Sequence, residues 1–214
     1  RDPEASSEAQ ILVNNPRRDA GEVVLDEKAG TLTTKEIVVK VNTKTGQIQA
    51  IKGGKLIVDQ VVPTEFAKKR TIVKFAQDED DYFFGGGVQN GRFSHAGKKI
   101  AIENTNSWTD GGVSSPTPFY WSTNGYGFMW YTFNKGSYDF GAEAADKVIL
   151  THESNHLDVF FMINDNCVAL LKDFYQLTGN PVLMPKFGFY MGHLNAYNRD
   201  YWTPSNDNSG MLYE

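Results

Sequence analysis

The sequence predicts a mainly β protein: an antiparallel β-sandwich, followed by a linking helix and the first strand of a barrel-like domain. Three observations predict it. Short β-rich runs separated by Gly and Asn turns fill residues 21–163, one helical pattern follows them, and an aromatic strand pattern follows that helix. With 214 residues, 40% of them hydrophobic, the chain is long enough to bury a core.

The predicted strands follow a polar leader, residues 1–20, which lacks the basic start and apolar centre of an intact signal peptide. Gly- and Asn-containing turns separate the strands. The centre of the EIVVKV run is apolar on both faces, so part of that strand is expected to be fully buried. The predicted strand runs are 23–25, 31–41, 47–51, 56–62, 71–76, 98–104, 119–123, 126–133, 147–152 and 157–163.

The helical pattern covers residues 166–179, where apolar side chains recur at helical spacing and Gly179 and Pro181 provide the stop. An aromatic strand begins at Pro185, and the chain reaches Glu214 without a closing element. We therefore expect a truncated domain at the end of the chain. The expected parts are a leader (1–20), the sandwich (21–165), the linking helix and connection (166–184) and the start of a (β/α)8 barrel (185–214).

Composition excludes several functions. The net charge of −5 and the pI of about 5.4 argue against a nucleic-acid partner, and no apolar run is long enough for a membrane span. A single cysteine, Cys167, excludes an internal disulfide and a multi-cysteine metal site. The histidines in the β region lie in separate segments, so no metal site is expected. Three adjacent acids at 79–81 predict a solvated turn.

Three stretches carry candidate chemistry. The glycine-rich run FFGGGVQNGRF (83–93) has no following helix with Lys and Ser/Thr, which excludes a nucleotide-binding loop. It indicates either a strained turn with closely packed backbones or a close approach to a ligand. The loop at 104–121 contains amides, Trp108 and Asp110, a combination that suits sugar hydroxyls and C–H faces. An ordinary polar connection between strands is the alternative.

The third stretch, GHLNAYNRDYW (192–202), follows the aromatic strand directly. In a β/α barrel the active site lies at the carboxyl ends of the strands, and alternation would place His193, Asn195 and Tyr197 on one side. We therefore expect these three side chains at a ligand-binding mouth. The alternative is that the segment plugs the base of the barrel.

The three stretches together resemble glycoside hydrolase family 31. FFGGGVQNGRF is similar to its Tyr-Gly-x-Gly-Glu signature, NTNSWTDGGVSSPTPFYWSTNGYGFMWYTF resembles its next block, and DFYQLTGNPVLMPKFGFY resembles its link into the catalytic barrel. The blocks occur in the family's order and cover roughly residues 80–200. The ending resembles a bacterial subgroup that includes α-glucosyltransferases and α-N-acetylgalactosaminidases. We expect an extracellular or cell-surface bacterial location and not a cytoplasmic one.

The resemblance implies a galactose mutarotase-like sandwich and a retaining reaction on α-glycosides by two barrel aspartates, with no cofactor. It implies that the loop around Trp108 and Asp110 reaches the rim of the substrate pocket, with His193, Asn195 and Tyr197 contributed by the first barrel strand. The implied partners are an α-linked oligosaccharide or glycan and the rest of the barrel.

The sequence departs from the family in two places. Val88 or Gln89 stands near the usual acid of the glycine signature, and the stretch with the catalytic aspartate nucleophile is absent. This chain alone is therefore expected to be inactive. Two alternatives remain: an α-glucosyltransferase of the same family, and a carbohydrate-binding sandwich without a catalytic role. The second does not explain the helix and the aromatic strand.

Overall fold

The computed structural model describes Leu12 and residues 22–105, 107 and 109–186. The chain divides into two compact units, residues 1–180 and 181–214. The described part of the first unit contains fourteen strands and one helix. They are β1 (Val24–Asp26), β2 (Thr31–Thr33), β3 (Ile37–Val41), β4 (Ile48–Lys52), β5 (Lys55–Asp59), β6 (Glu65–Ala67), β7 (Arg70–Ala76), β8 (Phe83–Gln89), β9 (Lys99–Ile102), β10 (Val113–Ser122), β11 (Tyr126–Trp130), β12 (Gly136–Phe140), β13 (Lys147–His152), β14 (Val159–Ile163) and α1 (Cys167–Thr178).

The strands form three antiparallel sheets within the described residues. The first has the order β1-β2-β3-β4-β5, the second β14-β11-β10-β8 and the third β6-β7-β13-β12-β9. An isolated bridge between Gln60 and Phe75 joins the first sheet to the third. The main core lies between the inner face of the second sheet and the faces of the other two. The predicted antiparallel β-sandwich over residues 21–163 is confirmed.

Aromatic side chains fill this core. Phe83 stacks on Phe140 with ring centroids 4.7 Å apart, and Tyr120 meets Phe140 edge-on at 5.0 Å. The period of two is visible in β13, where Val148 and Leu150 are buried while the residues between them are half-buried. Aromatic pairs of this kind add to the free energy gained by burying apolar area.

Helix α1 covers part of the outer face of the second sheet. Asn166 caps it by accepting a hydrogen bond from the Ala169 N–H at 3.0 Å, and Gly179 ends it with a φ of 92°. Leu170 and Leu177 are buried, and Phe174 stacks on Phe119 of β10 at 4.1 Å. The helix predicted over 166–179 is therefore confirmed.

The part of the glycine-rich run from Phe83 to Gln89 forms strand β8, so a turn at the three consecutive glycines is wrong, and the turn follows at residues 90–91. The predicted close packing of backbones is confirmed. Gly85, Gly86 and Gly87 all have positive φ, between 76° and 114°. A Cβ on Gly85 would lie 2.6 Å from the Phe119 carbonyl oxygen, and one on Gly87 would overlap the Ser115 carbonyl oxygen. The pairing of β8 with β10 shifts register twice along this run.

Three further expectations are wrong. No residue of β3 is fully buried, because the first sheet contributes to the main core only from β4 and β5. The acids at 79–81 are not all solvated: Asp81 is only 9% exposed, and burial raises its pKa. The loop predicted at 104–121 becomes strand from Val113 onward.

Strand β12 has no counterpart among the predicted runs, because its sequence GSYDF lacks a β-rich composition. Its place between β9 and β13 buries Tyr138, Asp139 and Phe140. One carboxylate oxygen of Asp139 accepts backbone hydrogen bonds from Gly141 and Ala142 in the turn that follows.

A buried histidine makes the stability of the fold pH-dependent. His152 is fully buried; its Nδ1 donates to the Asn134 carbonyl at 2.8 Å, and its Nε2 accepts from the Tyr138 hydroxyl at 3.0 Å. Burial lowers its pKa from 6.5 to about 4. At His152 the unfolded chain therefore binds a proton more readily than the folded chain does. About 3 kcal/mol of unfolding free energy should thus be lost as the pH falls from 6.5 to 4.

Urea unfolding at several pH values checks this expectation. The variant His152→Gln should be less stable than wild type at pH 7 but should lose less unfolding free energy between pH 6.5 and 4. Equal losses in the two proteins would contradict the assignment to His152.

The glycine run provides a second test of the fold. Gly87→Ala should lower the unfolding free energy by about 2 kcal/mol or more, because φ is +82° and backbone atoms of β10 occupy the Cβ position. Gly97→Ala is the matched control: its φ is +69°, but nothing lies within 4 Å of its Cβ. If Gly87→Ala lowers the unfolding free energy no more than Gly97→Ala does, β10 accommodates the added Cβ without a loss of stability, and the expectation is wrong.

Candidate functional site

The candidate sugar loop is the connection between β9 and β10, residues 103–112. Its base is closed by one residue: Thr105 donates its backbone N–H to the Val113 carbonyl at 3.0 Å, and its hydroxyl accepts the Val113 N–H at 2.9 Å. These two hydrogen bonds hold the two ends of the loop together at Thr105 and Val113.

The turn after β8 holds the far side of the loop. The Asn90 N–H donates to the Gly112 carbonyl and the Gly111 N–H donates to the Asn90 carbonyl, both at 2.9 Å. The Asn90 side chain also donates to the Ser107 carbonyl at 2.6 Å. Sequence reasoning missed Asn90 as a positioning residue, although the dipeptide Asn90-Gly91 is a turn signal that could have drawn attention to it.

Asp110 is an exposed residue of this loop. Its carboxylate packs against Gly91, where any Cβ would overlap Oδ1. The guanidinium group of Arg92 lies beside Gly111, and Arg92 Nη1 donates to the Lys99 carbonyl at 2.9 Å. The loop thus presents a solvent-accessible acceptor on a backbone held from two sides.

Trp108 lies outside the described residues, as do His193, Asn195 and Tyr197. Of the five, the structure describes Asp110, and the predicted roles of all five stay predictions.

Two clefts of ligand size lie away from the loop. One of about 450 Å³ is lined by residues of the first sheet, among them Lys40, Gln49 and Asp59. One of about 270 Å³ includes Asp81 and Asn124. Neither of these two clefts is lined by a described residue of the 103–112 loop.

The buried titratable groups serve the fold. His95 is buried, its Nε2 donates to the Gly85 carbonyl at 2.9 Å, and burial lowers its pKa. The hydroxyls of Tyr120 and Tyr126 lie 3.3 Å apart in the core, and burial raises both pKa values. Among the described residues, no three His, Cys, Asp or Glu side chains are grouped to hold a metal, and no helix could cross a membrane.

Comparison with known proteins identifies a matching family model and several similar proteins. Residues 2–139 match the family model of the glycosyl hydrolase 31 N-terminal galactose mutarotase-like domain. An α-xylosidase of Emericella nidulans is 28% identical over 136 residues, which are 61% of this chain and 17% of that protein. The α-xylosidase XylQ of Lactiplantibacillus pentosus is 28% identical over 127 residues, 57% of this chain and 16% of that protein.

Solved structures share the fold. A glycoside hydrolase family 31 dextranase of Flavobacterium johnsoniae, complexed with isomaltotriose, has a TM-score of 0.74 at 20% identity. The match covers 85% of this chain and 23% of the dextranase chain. A family 31 α-xylosidase from a soil metagenome, complexed with xylose, has a TM-score of 0.69 at 17% identity and covers 86% and 30% of the two chains.

This chain therefore spans less than a fifth of the curated relatives that it matches. The matched family model covers more than half of the chain, in a region that contains strands β1 to β11, most of β12 and the candidate loop. The chain belongs to the glycoside hydrolase 31 family, and the region matched is its N-terminal galactose mutarotase-like domain.

Proposed function

We propose that this chain is the N-terminal part of a retaining α-glycoside hydrolase that acts on α-linked oligosaccharides or glycans. In this proposal the 103–112 loop of the sandwich forms part of the rim of the substrate pocket. The observation that carries the proposal is the loop itself: in a family 31 domain, it holds an exposed carboxylate on a backbone fixed by Thr105 and Asn90. The two curated relatives named above are α-xylosidases, which supports an α-glycoside as the substrate class.

The chain's own residues would bind sugar and would not carry out the bond cleavage. Asp110 would accept hydrogen bonds from a pair of sugar hydroxyls, and Trp108 would offer a stacking face. His193, Asn195 and Tyr197 would stand at the mouth of the barrel, where a sugar complex of the longer protein would show whether they contact the ligand.

The chemistry would belong to two aspartates beyond this sequence. One would attack the anomeric carbon and form a glycosyl-enzyme; the other would protonate the leaving oxygen and then activate water. Activation of a sugar acceptor in place of water would make the protein a transglycosylase. Product analysis of the longer protein with isomaltotriose and with an α-xyloside separates the two. An extracellular or cell-surface location belongs to the proposal and is tested by cell fractionation.

In the longer protein, Asp110→Ala should lower kcat/KM by roughly ten- to a hundredfold. The physical reason is the loss of about 1.4–3 kcal/mol, the contribution of a hydrogen bond made by a charged group. Steady-state kinetics on an aryl α-glycoside measures the effect. Asp80→Ala, which removes another exposed carboxylate, is the control and should leave kcat/KM unchanged. Equal kinetics for both variants would reject the role of Asp110.

The 214-residue chain alone should release no product from aryl α-glycosides above the buffer rate. It lacks the stretch that holds the family's nucleophile, and loop residues that bind sugar do not replace a nucleophile and an acid. Overnight incubation with chromogenic α-glucoside and α-xyloside checks this. Turnover that persists through repurification would place the catalytic groups within this sequence.

A further inference from the structure

We propose that a polar cleft on the first sheet binds a neutral sugar. We call it the first-sheet cleft. It has a volume of about 450 Å³, and its polar lining residues are Lys40, Asn42, Gln47, Gln49, Asp59 and Gln60. The inference goes beyond the proposed function, because it concerns sugar binding by the sheet of this chain and not by the 103–112 loop.

The strand register places three of these side chains in one row. Lys40 of β3 pairs with Gln49 of β4, and Gln49 pairs with Asp59 of β5. Side chains directly opposite each other on antiparallel strands lie on the same face, with Cβ atoms about 5 Å apart. The next register pair, Ala50 and Val58, points to the other face and belongs to the main core. The polar row therefore faces away from the core.

The end of the cleft next to this row is held by a buried glutamine. Gln60 is 3% exposed; its Oε1 accepts the Ile48 N–H at 3.2 Å, and its Nε2 donates to the Val62 carbonyl and the Thr64 hydroxyl, both at 3.0 Å. The Gln47 side chain donates to the Gln60 carbonyl at 3.0 Å. These bonds fix the wall of the cleft, so a ligand would meet a preorganised surface.

The row itself retains unused hydrogen-bonding groups. Gln49 Nε2 donates to Asp59 Oδ1 at 2.8 Å, which orients both half-buried side chains. Within the part of the chain that the structure describes, the Lys40 ammonium, the Gln49 side-chain oxygen and Asp59 Oδ2 have no hydrogen-bond partner. The cleft therefore offers a donor on β3 and acceptors on β4 and β5, across two strand spacings of about 10 Å in total.

This arrangement suits a neutral ligand that is rich in hydroxyl groups. A charged ligand would meet a group of its own sign, because an ammonium and a carboxylate stand on the two sides of Gln49. A sugar hydroxyl both donates and accepts, so neighbouring hydroxyls can accept from Lys40 and donate to Gln49 and Asp59.

The size and lining of the cleft agree with such a ligand. Its volume lies in the range of roughly 300–1,000 Å³ that is usual for small-molecule sites. Most of those sites are lined by apolar side chains, whereas six polar residues line this one, which favours a sugar over an apolar molecule. Its described lining includes no aromatic ring, so we expect affinity in the millimolar range.

NMR titration of the ¹⁵N-labelled 214-residue chain tests the proposal, with isomaltotriose and xylose as the probes. At least one of the two sugars should produce saturable shifts in the backbone amide signals of residues 40–42, 47–49 and 59–61. The side-chain NH₂ signals of Gln47 and Gln49 should shift along the same binding curve. Inorganic phosphate, used as an anionic probe, should produce no saturable shift there.

Two variants and a matched control assign the binding to the row. Lys40→Met should raise the Kd for the sugar about tenfold, because it removes a hydrogen bond from a charged donor, and Gln49→Leu should raise it roughly fivefold. Lys35→Met removes another exposed lysine, in the turn between β2 and β3, and should leave Kd unchanged. Lys40 is exposed, so the Tm of Lys40→Met should stay within about 2 °C of wild type.

Four outcomes would overturn the inference. They are the absence of saturable shifts at the cleft with both sugars, shifts confined to the 103–112 loop, saturable binding of phosphate in place of sugar, and a Kd for Lys40→Met equal to that of Lys35→Met. The experiment is also independent of the proposed function. If the longer protein hydrolyses α-glycosides and responds to Asp110→Ala but the cleft binds no sugar, the cleft alone is wrong. If the cleft binds sugar but the longer protein has no activity on α-glycosides, the proposed function alone is wrong.

Discussion

The close approach of β8 to β10 is the constraint on which the rest of the structure depends. Three successive glycines with positive φ allow the β8 backbone to lie against carbonyl groups of β10, where a side chain would collide. That contact fixes the turn after Gln89, which in turn holds the loop with Asp110. It also sets Phe84 beside Trp121.

The core adds rigidity to this arrangement. Tyr138 and His152 are buried together and satisfy their polar atoms through one another and through the backbone at Asn134. Around them, aromatic rings from the second and third sheets meet edge-on or stacked. A sandwich whose interior is packed in this way is a rigid base for the 103–112 loop.

The second sheet is apolar on both faces, and this distinguishes it from the first. Its inner face builds the main core, while its outer face is covered by α1 through Phe119, Leu170 and Leu177. The first sheet joins the main core with few residues, which explains why β3 remains half-buried despite its apolar sequence.

The sequence by itself determined the fold class, the helix and the family resemblance, because these depend on local signals. Alternation and turn residues mark most of the strands, Asn166 and Gly179 bound the helix, and the motif blocks occur in order. It also singled out Asp110 by residue type. Only the tertiary structure decided that the glycine run is a strand, that GSYDF is a buried strand and that Asn90 carries the loop. These outcomes arise from contacts with segments distant in the sequence, such as β10 against β8. Such contacts cannot be inferred from local composition.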